Sequence, residues 1–153
     1  MRTNGTRRLL VGIAVAFGAL APGGVSGQDV SGTWDVRWAQ GVRVNRDGSV
    51  EIQRWGDAEL VLSQQGDRVT GRWTTHIVET INWSVSGTLQ SGRLRLEATE
   101  HDSENPELEM VELIEWDGTL DGDRIEGHVS LTFREMRREP GARPFTATRT
   151  PGG

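Results

Sequence analysis

Apolar and polar positions alternate with a period of two along almost all of the chain beyond residue 30. Trp34, Val36 and Trp38 share one side of a first run, and Leu60, Leu62 and Gln64 one side of another. Val69, Gly71 and Trp73 follow. Then come Trp83, Val85, Gly87 and Leu89, and after them Leu94, Leu96 and Ala98. Ile125, Gly127, Val129, Leu131 and Phe133 make the longest run, and Phe145, Ala147 and Arg149 the last. A strand points successive side chains to opposite faces, so this period predicts antiparallel strands with one buried face.

The punctuation between runs supports hairpins. Gly66-Asp67-Arg68-Val69-Thr70-Gly71 reappears as Gly122-Asp123-Arg124-Ile125-Glu126-Gly127. Gly87-Thr88-Leu89 reappears as Gly118-Thr119-Leu120, each followed at equal spacing by Arg93-Leu94 or Arg124-Ile125. Each phrase reads as a strand end, a tight glycine turn or its approach, and the start of a returning strand. Val42-Arg43-Val44 and Val50-Glu51-Ile52 flank a further Asp47-Gly48 turn, and Arg54-Trp55-Gly56-Asp57 reads as another turn. The count is eight or nine strands on short loops.

One stretch fits neither period. Asn105-Pro106-Glu107 has the form of a helix start, yet Trp116-Asp117-Gly118 must be extended to match its echo. A strand with a bulge and a short helix over 106–113 both remain open. The loop 100–105 is acidic and polar, 134–143 is basic on balance, and the chain is expected to become a polar tail from Thr150. Gly71, Gly87, Gly118 and Gly127 fall inside strands, where glycine is unfavourable unless the sheet coils sharply or a large side chain stacks on bare backbone. Both reasons point to a small, curved barrel. A run of about eight strands closes on itself and so removes its edges.

Residues 1–27 are expected to lie outside this fold. Arg2, Arg7 and Arg8 precede an apolar stretch from Leu9 to Leu20, and Val25-Ser26-Gly27 offers a small-residue cleavage site. That is the layout of a secretory signal, too short for a membrane span. Thr6-Arg7-Arg8-Leu9-Leu10 is also similar to a twin-arginine signal, so both export routes stay open. The expected organisation is a signal peptide over 1–27, a single barrel domain over 28–150 and a disordered tail over 151–153, with a secreted or periplasmic location. No other segment is expected to span a membrane. The domain, about 125 residues, is long enough to bury about two-thirds of its unfolded surface.

Composition narrows the partners. The net charge is -5, and loss of the three arginines of 1–27 takes it to -8. Nucleic acid is therefore not an expected partner. Cysteine is absent, so the core is expected to hold the fold without disulfides. Six tryptophans are an excess for this length.

Gly32-Thr33-Trp34 opens the first strand and Arg149 sits at the end of the last. A Gly-x-Trp there, with a basic residue of the final strand packed over the Trp, resembles the calycin superfamily of lipocalins, avidins and fatty-acid-binding proteins. The second lipocalin motif, Thr-Asp-Tyr, has no counterpart. The resemblance implies an all-β, up-and-down antiparallel barrel of about eight strands, with Trp34 and Arg149 closing one end. It also implies binding of a small apolar or amphipathic molecule inside, which a fold alone does not establish.

Candidate chemistry is sparse. His101-Asp102-Ser103 has the letters of a hydrolase triad, but adjacent residues do not converge on one atom, and a polar loop explains them. His76, His101 and His128 form no ligand pair within one element. His76 with Glu79, or His128 with Glu126, would need help from elsewhere, and solvated strand residues explain them as well. Asp117, Asp121, Asp123 and Glu126 lack the spacing of a calcium loop, and turns account for them. The seven acids of 100–115 have no Arg among them. They read as an exposed rim, with a bound cation or a basic exported protein as the alternative. No catalytic residue, metal or cofactor is expected.

The tryptophans carry the leading reading. Trp73, Trp83 and Trp116 lie on strands and are candidates to line a cavity, with Arg72 and His76 near its mouth. The same indoles would also simply fill a barrel of this size. Three functions follow: a binder of a small apolar ligand, a ligand-free interaction or structural module of the cell envelope using the 100–115 region or the 134–143 loop, and a barrel isomerase or cyclase.

Overall fold

A computed structural model describes residues 28–77, 79–134 and 142–152. Residues 1–27, expected from the sequence to be a signal, most of the 134–143 loop and Gly153 lie outside the described residues. Eight strands follow in order: β1 (Gly32–Val44), β2 (Val50–Gln65), β3 (Arg68–His76), β4 (Thr80–Gln90), β5 (Arg93–His101), β6 (Val111–Asp121), β7 (Arg124–Phe133) and β8 (Arg143–Arg149). Each pairs antiparallel with the next, and β8 pairs with β1, so the sheet closes into an up-and-down barrel. The all-β barrel expected from the alternation is the fold.

The two ends differ because their connections differ. At one end three two-residue turns join β2 to β3, β4 to β5 and β6 to β7. Gly66 and Gly122 take positive φ at the first turn position, with Asp67 and Asp123 at the second, as a II′ turn requires. Ser91 and Gly92 are both at positive φ, as type I′ requires. At the other end run the longer connections 45–49 and 102–110, and there β3, β4, β7 and β8 end or begin on either side of 77–79 and 134–142.

The Gly-Asp echo is a structural repeat. Gly71 and Gly127 occupy matching places in the β2–β3 and β6–β7 hairpins. A Cβ on either would collide with the carbonyl oxygen of the facing strand, Val61 for one and Asp117 for the other. Gly87 stands in the same relation to the Arg95 carbonyl. The sheet coils too tightly at these points to admit any side chain, which is the reason for glycine inside a strand.

Two local expectations change. The run around Trp55 is not a turn: β2 continues through it from Val50, and Trp55 pairs with Ala39 on β1. Alternation is interrupted there by bulges between Ala39 and Val42, which hid the continuity from the sequence. Beyond its contacts with β8 and β3, the β1–β2 pair projects as a two-stranded ribbon. Trp55 stays 41% exposed on it, with the Arg37 guanidinium 5.3 Å from its ring centroid. The ambiguous stretch takes something of both readings. A single 3-10 turn spans Leu108–Met110, with the Asn105 side chain accepting from the Glu107 N–H at 3.0 Å, and β6 then starts with a bulge between Val111 and Leu113.

The core is one cluster inside the barrel. Aliphatic side chains crowd the tight-turn end, among them Leu62, Val69, Leu89, Leu94, Leu120 and Ile125. Toward the long-loop end the interior turns aromatic and partly small, with Trp38, Ala58, Thr75, Trp83 and Ala98.

Candidate functional site

The tight-turn end is sealed. Residues 28–31 cross it before β1 begins: the Val30 N–H donates to Gln64 Oε1 at 2.9 Å, and the Ser31 hydroxyl accepts from the Gln64 N–H at 2.9 Å. Trp34 is fully buried beneath this segment and donates its indole N–H to the Val30 carbonyl at 2.9 Å. Arg149 lies over the Trp34 ring at 4.2 Å and donates to the carbonyls of Ser31 and Asp29 and to the Asp123 carboxylate. One guanidinium thus ties the last strand to the segment before the first.

The long-loop end is built from different material. Trp73 on β3 stands at the middle of three indoles in edge-to-face contact. Trp38 is 5.2 Å away between centroids at an interplanar angle of 73°, and Trp116 4.8 Å away at 83°. Trp83 pairs with Trp73 across β3–β4, and its ring meets His101 at 4.6 Å. Trp73, Trp83 and Trp116 therefore share one interior neighbourhood. Arg72 and His76 do not join them. Each is an odd number of residues from Trp73 along β3, so alternation turns both to the exposed outer face, and His76 there meets the Thr80 hydroxyl at 3.0 Å.

Sequence reasoning missed Trp38, Thr75 and Arg143 as parts of this end. Thr75 follows Trp73 by two and so faces inward. Arg143 is in phase with Phe145, Ala147 and Arg149, a signal that its assignment to a loop concealed. It is buried over Trp38 at 5.9 Å and donates to the carbonyls of Ala39 and Gln40. Strand β8 thus carries a guanidinium at each end, each lying over a tryptophan of β1.

This end also holds polar atoms without partners. Trp38 Nε1, Trp73 Nε1, Thr75 Oγ1 and His101 Nδ1 are buried with no hydrogen-bond partner among the described residues. Buried polar groups are nearly always paired, so such a cluster needs a reason.

The other candidates resolve into structural roles. Asp102 accepts from the Asn82 N–H at 2.8 Å and from its side-chain amide at 2.6 Å, Ser103 donates to Glu79, and His101 packs on Trp83, so the three adjacent residues diverge. The side-chain amide of Asn82, then its backbone N–H, holds the Asp102 carboxyl below its ordinary range. Asp117 accepts two bonds from Arg93, at 2.8 and 2.5 Å, which chiefly lower its pKa, while Asp123 meets Arg149 and Glu126 meets Arg124. Asp117, Asp123 and Glu126 each face an arginine, which accounts for these three without a cation. No group of three potential metal ligands occurs among the described residues. The acids of 100–115 are exposed except Glu115, which is half-buried. No helix among the described residues is long and apolar enough to cross a membrane.

On the outside, the curved face of β4 to β7 forms a groove of about 1040 Å3 lined by Arg93, Arg95, Glu97, Asp117 and His128 among others.

The fold and its two ends define a closed eight-stranded up-and-down barrel with one sealed and one aromatic end. No protein-family model matches the chain, and no curated protein matches its sequence. Among solved structures, the crystal structure of Rv2717c from M. tuberculosis is similar at 12% identity, over 78% of this chain and 92% of that one, with a TM-score of 0.42.

Proposed function

We propose that the chain is an exported, lipocalin-like barrel, placed in the periplasm or outside the cell by its N-terminal signal, that binds a small apolar or amphipathic molecule in its interior. The observation that carries this reading is the asymmetry of the ends. One is sealed by Trp34, Arg149 and the crossing segment. The other is walled by Trp38, Trp73, Trp83 and Trp116 around small side chains such as Ala58 and Ala98. Aromatic walls with a few polar groups are the usual composition of small-molecule sites. The calycin resemblance supports the reading through Trp34 and Arg149.

Native mass spectrometry of the mature protein from a bacterial periplasm tests it. A discrete extra mass that disappears on denaturation, together with tryptophan emission that shifts when an apolar probe is added, is the expected result. A bare mass and unresponsive emission across a panel of apolar probes would overturn it.

The outer groove favours a second reading, an interaction module with a filled barrel. Its lining on β5 and β6 carries both arginines and acids, so a partner there would be polar. In that case Arg95→Glu would abolish capture of the partner while leaving tryptophan emission unchanged.

A further inference from the structure

We infer that the ligand of the aromatic end carries an uncharged hydrogen-bond acceptor, a carbonyl-type oxygen, at the end that enters the barrel. The inference rests on the interior-binding reading above and specifies its chemistry.

Three groups set the requirement. Trp38, Trp73 and Thr75 are 3%, 2% and 1% exposed, and the Nε1 atoms of the first two and Oγ1 of the third lack a partner among the described residues. They border one stretch of the interior. Trp38 pairs with Gly56 on β2, Thr75 pairs with Ala58 two residues further on, and the Trp38 and Trp73 rings touch. The strand between the two walls carries glycine and alanine at these positions, and the Gln40 side chain lies against Gly56.

The chemistry of the donors selects the head group. An indole N–H donates and cannot accept, and a threonine hydroxyl does either. An oxygen with two lone pairs accepts from two of these groups, either both indole N–H groups or one of them and the hydroxyl. Neither indole can pair with an ammonium, which only donates, and the hydroxyl alone could accept from it. The three groups also carry no charge, and burying an anion on neutral donors is costly. The nearby Arg143 guanidinium is already engaged with the carbonyls of Ala39 and Gln40. A water would accept from the same donors, but a ketone or ester oxygen does so while its hydrocarbon covers the indole faces.

The test uses four compounds of closely similar size on the unaltered protein: octan-2-one, its isostere 2-methyl-1-octene, octanoate and octylammonium. Binding is followed by calorimetry and by the indole Nε1–H signals in 1H–15N NMR, with Trp38 and Trp73 assigned by triple-resonance spectra or by Trp38→Phe and Trp73→Phe. Octan-2-one should bind about tenfold or more tightly than the alkene and the ammonium, since a site built on buried donors discriminates strongly against ligands without the acceptor. It should move both indole signals downfield, and Thr75→Val should weaken the ketone without affecting the alkene. Equal binding of ketone and alkene with unmoved indole signals would overturn the head-group inference and leave interior binding standing. Tightest binding of octanoate would transfer the head group to Arg143 and likewise overturn it. Binding of none of the four would remove both readings.

Discussion

Arg149 and Trp34 face one another across the seam between the last strand and the first, the guanidinium carbon 4.2 Å from the indole centroid. The same side chain holds the carbonyls of Ser31 and Asp29, so it joins an aromatic core to the segment covering it. Trp34→Ala should lower unfolding free energy by about 3–5 kcal/mol, as for a buried aromatic deletion. Arg149→Lys should fail to rescue Arg149→Met, because an ammonium lacks the planar fork that reaches two carbonyls and a ring together. Urea unfolding monitored by far-UV circular dichroism measures both. A loss well under 1 kcal/mol at Trp34 would refute its role as the plug.

The in-strand glycines give a sharper contrast. Gly127→Ala should destabilise by about 3 kcal/mol or prevent folding, since its methyl meets backbone that cannot move aside. Gly71→Ala should behave alike. Gly48→Ala has nothing within 4 Å of the added carbon and should cost only the strain of its positive φ, about 1 kcal/mol. Similar losses at Gly127 and Gly48 would show that close strand approach is not what requires glycine at 127.

Ser91 holds φ at 50°, in the left-handed region, inside the β4–β5 turn. Asn tolerates that region better than Ser. Ser91→Asn should therefore raise stability by about 0.5 kcal/mol, in the range of the αL penalty it relieves in part. Thermal melts of the two proteins compare them directly, and a lower midpoint for the variant would contradict the turn assignment.

Acid should weaken the fold in a defined window. Asp117 is held low first by its hydrogen bonds to Arg93, Asp102 first by the Asn82 side chain, and Asp29 first by the Ser31 N–H. A carboxyl with a lowered folded pKa contributes stability that is present above its unfolded value, about 3.9, and is lost as pH falls through the lowered one. Urea midpoints should thus be flat with respect to these groups from about pH 5 upward and fall below about pH 4. Asp117→Asn should shallow that fall. Because these side chains are exposed, the change is modest and shrinks with added salt. An acid limb unchanged by the substitution would remove Asp117 from the account.

The alternation of Ile125 to Phe133 and the Gly-Asp turns made the strands and the barrel legible, because both are local signals with a fixed physical cause. The ribbon through Trp55 was not, since bulges break the period where the two strands still pair. Trp73, Trp83 and Trp116 were legible as inward side chains. Arg72 and His76, expected near the mouth, lie on the exposed outer face, turned there by the same parity that turns Trp73 inward. Arg143 was hidden differently: a strand that begins directly after a basic, proline-containing stretch reads as more loop. The unpartnered atoms of Trp38 and Thr75 depend on which strands meet around the barrel, and no window of sequence reports that.

The seam between β1 and β8 sets an order on how the molecule comes into being. Every other strand pair is a hairpin that forms from neighbouring sequence, but this one joins residues separated by nearly the whole domain. Closing such a loop is entropically slow, and non-local pairing of this kind lowers folding rates. Until Phe145 to Arg149 have emerged, β1 and β7 each present a bare edge. The nascent chain is thus a stack of hairpins waiting for its last strand, open to association with other chains throughout that interval.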